Sequence, residues 1–144
     1  MSVQIQAEID NMRKQLHVDF IGIALSKVNE GTNSRTIHWA YVSGNTNENY
    51  RRIHLQVGKG IAGIVWRTGR SYQASELQRN PKNLLELPIA RMEKLETAVA
   101  APILKNGRVQ GVLLFGSRTP NVMEMDQLKS VEDKAEELIP LLEE

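Results

Sequence analysis

The densest group of residues able to do chemistry is a glycine run, Gly58, Gly60 and Gly63, within Val57-Gly58-Lys59-Gly60-Ile61-Ala62-Gly63. Its spacing spells G-x-G-x-x-G, the pattern by which a strand-to-helix turn brings backbone amides against a pyrophosphate. A dinucleotide site needs that turn after the first strand of a parallel βαβ unit, with an acidic side chain roughly 20 residues further on. Two antiparallel-looking strands precede the glycines here, and the position 20 after Gly63 is Asn83. The dinucleotide reading is therefore set aside. What the run can do is simpler: Gly60 permits a tight turn that leaves the amides near Ile61, Ala62 and Gly63 unpaired at the positive end of a short helix. Such a helix start is a ready-made anion site. The alternative is that the glycines serve only the close packing of that helix on a sheet.

Other side chains add to or subtract from that chemistry. Trp39 offers an indole N–H donor and a flat face that could cover a planar anion, or else it is a core tryptophan. Trp66 reads as packing. Lys59, Arg51 and Arg52 could attract an anion, although charged side chains near a loop are usually just solvated. His17, His38 and His54 are isolated, without H-E-x-x-H or paired spacing, and the chain has no cysteine to complete a zinc site. The absence of cysteine also removes disulfides and thiol nucleophiles. No G-x-S-x-G elbow occurs. No catalytic residue, metal or cofactor is expected.

Positioning these groups requires an ordered set of elements. Ile5, Ile9, Met12 and Leu16 fall on one stripe of an amphipathic helix. Phe20 to Leu25 is too short and too β-branched for another helix and reads as a strand, closed by turn signals at Asn29, Glu30, Gly31 and Asn33. Thr36 to Val42 reads as its hairpin partner, with Ile37, Trp39 and Tyr41 on one face and Thr36, His38, Ala40 and Val42 on the other. The glycine run then opens a short helix from Ile61 to about Arg67, ended by Gly69 in the left-handed conformation. Tyr72 to Ala74 is a short strand. Ser75 to Leu95, broken by Asn80, Pro81 and Pro88, is a long excursion with one or two short helices, a kind of segment that is often functional. Thr97 to Leu104 and Val109 to Ser117 form a second hairpin around Lys105-Asn106-Gly107. Asn121 and Glu124 resemble a capping box for a last helix carrying Leu128, Val131, Ala135, Leu138 and Leu142. This order predicts an α+β fold, an antiparallel sheet with helices packed on it.

The totals agree. The 144 residues suit one domain spanning 1–144, with 41% hydrophobic and 24% charged residues close to the globular average. Eighteen basic against 17 acidic residues give a net charge of +1, which supplies no field for nucleic acid or an anionic membrane. The first ten residues are polar and acidic, unlike a signal peptide, and no apolar run approaches the roughly 20 residues of a membrane-spanning helix. The expected compartment is the cytoplasm.

Three segments in this order resemble the GAF family: the opening hairpin; the run from Val57 through Ile61-Ala62-Gly63 to Thr68-Gly69-Arg70; and Ala98-Val99-Ala100-Ala101-Pro102-Ile103-Leu104 followed by Gly107 and Gly111-Val112-Leu113. The resemblance covers nearly the whole chain and implies a GAF/PAS-like antiparallel sheet of five to six strands with the N- and C-terminal helices on one face. Within the family the chain is most similar to stand-alone nitrate-receptor GAF proteins that act beside an oxygen-sensing histidine kinase in Gram-positive bacteria. Trp39, Val42-Ser43-Gly44-Asn45, Tyr50-Arg51-Arg52-Ile53, Ile61-Ala62 and Pro88-Ile89 carry that likeness. It implies nitrate held at the helix start by Gly60, Ile61, Ala62 and Gly63, with Trp39 and the turn Leu87, Pro88, Ile89 as walls. It also implies a sensor histidine kinase as partner and a possible homodimer through the terminal helices. An organic ligand, or a ligand-free interaction module, are the other roles open to such a domain. GAF-fold methionine sulfoxide reductases depend on cysteines, so the resemblance points to a binding protein and not an enzyme.

Overall fold

In the computed structural model, residues 2–32, 34–119 and 125–142 are described. The stripe of Ile5, Ile9 and Met12 becomes the buried face of helix α1 (Ser2–Leu16). His17, at φ 55, turns the chain out of the helix and into β1 (Phe20–Val28), which runs beyond the apolar stretch. β2 (Arg35–Ser43) returns antiparallel to it. After a 3-10 turn at Asn49–Arg52 come α2 (Gly60–Thr68) and β3 (Tyr72–Ala74). Gly69 closes α2 at φ 66, its amide donating to the Val65 carbonyl, as a left-handed C-terminal glycine should.

The excursion holds a 3-10 turn (Leu77–Arg79) and two short helices, α3 (Pro81–Leu85) and α4 (Pro88–Met92). Each helix opens on a proline, whose missing N–H is no loss in a first turn. Then follow β4 (Thr97–Lys105), β5 (Arg108–Ser117) and α5 (Met125–Leu142). The Asn121 and Glu124 capping box lies outside the described residues, as does Asn33.

Among the described residues the sheet has five strands, all paired antiparallel, in the order β2-β1-β5-β4-β3. Alternation along the strands gives each face its own core. On one face Ile21, Ile23, Val99, Leu113 and Phe115 pack against Ile9 and Met12 of α1 and Val131, Ala135 and Leu138 of α5. The apolar stripes of the terminal helices are thus buried within the chain. On the opposite face Phe20, Ala24, Trp39, Ala100 and Leu114 pack against α2 and α4.

Strict alternation fails at one place. The register runs Ala24↔Trp39 and then Ile23↔Tyr41, leaving Ala40 as an extra residue. This is a β-bulge, and it reverses the facing of everything after it. Tyr41, expected beside Trp39, instead packs toward the terminal helices, and Val42 joins the cluster of Ile37 and Trp39.

Candidate anion-binding site

The start of α2 is built by backbone conformations that only glycine adopts freely. Gly58 and Gly60 stand at φ 92 and φ 69. Gly63 serves the other purpose, since a Cβ there would lie 2.5 Å from the Gln56 carbonyl oxygen. The loop is further closed by the Gly58 amide donating to the Gly63 carbonyl at 2.7 Å and the Lys59 amide to that of Gln56 at 2.9 Å. Turning and packing are therefore divided among the glycines.

Lys59, the residue before the helix, is extended and its side chain caps nothing. The first amides of a helix have no acceptor within it, and here they sit in a dry place: Ile61 is 1% exposed and Ala62 0%. Buried amides without a cap are donors in search of an acceptor.

Trp39 supplies a second such donor. Its ring lies over Gly22, where a Cβ would come within 2.9 Å of Trp39 Cε3. The side chain is 3% exposed, and its Nε1 has no hydrogen-bond partner among the described residues. An orphaned buried N–H of this kind is destabilising by about 1–3 kcal/mol. Trp39, Ile61, Ala62, Leu87 and Ile89 all belong to one apolar cluster. Gly60, Leu87 and Pro88, with Leu55 and Lys59, line a cleft of about 370 Å³ that opens beside it. Trp39, Ile61, Ala62 and Ile89 lie in the cluster and not on the cleft wall, while Gly63 is turned toward the Gln56 backbone.

The cations contribute little field inside. Arg51, Arg52 and Lys59 are exposed. Arg51 pairs with Glu48 at 3.1 Å and lies over the Tyr50 ring, 5.4 Å from its centre. Only Lys59 of these reaches the cleft. Among the described residues no group of three or more His, Asp or Glu side chains could hold a metal ion.

Sequence reasoning assigned no role in the site to Leu55, Glu93 or Arg118, and cited Tyr50 only within the family likeness. Tyr50 and Leu55 are buried in the same cluster; a lone aromatic and a lone leucine in a polar stretch give little signal of it. Glu93, 0% exposed, is ion-paired to Arg118, and nothing in the local pattern distinguishes either from a surface charge.

The profile described as GAF domain matches residues 9–137. The chain belongs to the GAF family. Among solved structures, this GAF protein is similar to an NreA protein of Staphylococcus aureus mutated in its nitrate-binding site. The two are 33% identical with a TM-score of 0.76, over 89% of this chain and 96% of that one. It is similar also to the hypothetical protein SA1058 of Staphylococcus aureus, at 34% identity and TM-score 0.76, over 82% of this chain and 95% of that one. A free methionine-R-sulfoxide reductase of Thermoplasma acidophilum shares the fold at 15% identity and TM-score 0.73, over 97% of this chain and 90% of that one. No curated protein matches the chain. Among the described residues no helix is long and apolar enough to cross a membrane.

Proposed function

We propose that this GAF protein, acting as one domain over its 144 residues, is a cytoplasmic receptor for nitrate that modulates a sensor histidine kinase. The observation that carries the reading is a pair of unmatched donor sets in one apolar cluster: the uncapped start of α2 and the orphaned Nε1 of Trp39. The likeness to NreA, a protein with a nitrate-binding site, supports nitrate as the anion.

Nitrate suits this chemistry. It is planar, carries one charge spread over three oxygens, and can be held by neutral N–H donors between apolar walls. Backbone groups of Gly60, Ile61, Ala62 and Gly63 hold it, Trp39 donates from one wall, and Leu87, Pro88 and Ile89 close the other. A site with one exposed cation, Lys59, and one carboxylate, Glu86, on its cleft disfavours sulfate and phosphate, whose greater charge needs more compensation than amides give. The role is binding without turnover, with the kinase contacted through a surface that nitrate stabilises, and with the outward faces of the terminal helices, not their buried stripes, as the route to a homodimer.

Calorimetric titration with nitrate, and with chloride, sulfate and phosphate in parallel, tests the receptor reading. Saturable heat with nitrate alone is expected, and no heat with nitrate ends it. A kinase whose autophosphorylation in the presence of this protein is the same with and without nitrate ends the signalling half. One observation favours a second reading: a cleft of about 370 Å³ is within the roughly 300–1,000 Å³ of organic-ligand sites. Heat from an amino acid or nucleotide, with none from nitrate, selects that reading.

A further inference from the structure

Glu93 follows α4 and is fully buried. Its Oε1 accepts hydrogen bonds from Arg118 Nη2 at 2.6 Å, from the Thr46 amide at 2.9 Å and from Thr46 Oγ1 at 3.2 Å. Arg118 Nε donates to the Glu93 backbone carbonyl at 2.8 Å, and its Nη2 donates also to the Gly44 carbonyl at 3.0 Å. The Arg118 amide is anchored in turn on Asp19 Oδ2 at 2.7 Å. One carboxylate and one guanidinium therefore join the end of the excursion, the loop after β2 and the exit of β5.

Two of those segments run on directly to residues of the candidate site. On one side, the Glu93 amide donates to the Ile89 carbonyl at 3.0 Å, which binds Glu93 into the turn carrying Pro88 and Ile89. On the other, residues 44–46 connect β2, which bears Trp39, to the 3-10 turn that bears buried Tyr50. We propose that Glu93 and Arg118 are positioning residues, a latch that holds the α4 segment closed over the site and sets how fast ligand leaves.

The chemistry of the pair fits a latch better than a plain stability device. A buried ion pair is on average no better for stability than apolar residues of the same volume, whereas breaking it by removing one partner is strongly unfavourable. The second carboxylate oxygen, Oε2, has no hydrogen-bond partner among the described residues. The closed state thus leaves an acceptor unmet that water would satisfy once the α4 segment lifts, and this keeps opening within reach. Nothing local in sequence links Glu93, Thr46 and Arg118; only the fold brings them together.

The ligand part of this inference rests on the nitrate reading, so the test has a ligand-free arm. Hydrogen exchange is followed in the unmodified chain and in Glu93→Ala, Glu93→Gln, Arg118→Met and Arg118→Lys without nitrate. Glu93→Ala and Arg118→Met are expected to speed exchange over residues 84–92 and 44–50 while β1 and β5 stay protected. Glu93→Gln, which keeps an acceptor for Thr46 and Arg118, is expected to recover most of the protection. In the nitrate arm, stopped-flow tryptophan fluorescence is expected to show dissociation faster by on the order of tenfold in the truncated variants, with association nearly unchanged. Unchanged exchange at 84–92, or a rise spread evenly over the sheet, overturns the latch, as does an unaltered dissociation rate. If the unmodified chain takes no nitrate, the receptor reading falls alone and the exchange arm still decides the latch. Should Glu93→Ala fail to fold, Arg118→Met carries the same comparison, with Glu93→Gln and Arg118→Lys as its conservative references.

Discussion

An indole N–H with no acceptor, buried in an apolar cluster, is expected to be kept for something the folded chain alone does not supply. Trp39 Nε1 is in that position, so Trp39→Phe removes the donor while keeping an aromatic ring, although it also gives up the part of the indole that packs over Gly22. A hydrogen bond to a charged acceptor contributes about 1.5–3 kcal/mol, so calorimetry is expected to show nitrate binding weakened by about ten- to a hundredfold. In the unliganded variant the relief of an unpaired polar group opposes the space left where the indole packed on Gly22, so affinity and not the melting temperature is the readout. His38 makes a different residue-scale prediction. Burial first, then the charges of Lys27 and His54, hold its pKa below the ordinary 6.5, with the Leu25 backbone opposing. The folded chain therefore binds that proton less readily than the unfolded chain does. Its stability is complete above the ordinary value and falls as pH drops through 6.5 toward the lowered folded value. Urea unfolding midpoints on either side of that value should decline on the acid side, and His38→Gln should flatten the decline.

At the scale of elements, the start of α2 concentrates the risk. Gly63→Ala places a Cβ 2.5 Å from a backbone oxygen that cannot rotate away, so the helix start must shift, at a cost of about 1–3 kcal/mol. Gly31→Ala is the comparison: unlike the helical Gly63 it has a positive φ, 77, which strains an L side chain, but a Cβ there meets nothing within 4 Å. Urea denaturation should rank Gly63→Ala well below Gly31→Ala, and only Gly63→Ala should also reduce nitrate binding. Elements whose reason is local were legible in the sequence. The stripes of α1 and α5, the left-handed Gly69 and the hairpin around Asn106-Gly107 each follow from periodicity or a glycine at a fixed place. The bulge at Ala40 was not legible, because one unpaired residue in an apolar strand leaves period-two alternation looking intact. So Tyr41 was expected beside Trp39 and lies on the other face. At the site, the helix-start amides and Trp39 could be nominated from residue type. Leu55, Glu93 and Arg118 could not, since their roles depend on which distant segments the sheet order brings together, and Tyr50 entered only through the family likeness.

The whole molecule is two layers sharing one sheet, and the layers meet at the end of β2. There Gln6 Nε2 of α1 donates to the Val42 carbonyl at 2.8 Å, and Arg13 Nε donates to Ser43 Oγ at 2.8 Å. The next residue, Gly44, is held by Arg118. A ligand that stabilises the closed site therefore has a physical connection to α1 through the bulged end of the strand that carries Trp39, and the coupling must run both ways. At a nitrate concentration a hundredfold above its dissociation constant the folded state gains about 2.7 kcal/mol, which for a chain of this size raises the melting temperature by about 10 °C. That shift alone would report binding; its distribution would report output. Nitrate is expected to slow hydrogen exchange at residues 42–46 and in the last turns of α1 as well as around α2 and α4. Protection confined to the α2 and α4 layer would show that the β2 end does not relay occupancy. A partner that senses nitrate would then have to touch the excursion itself, because the terminal helices would present it the same surface with the site full or empty.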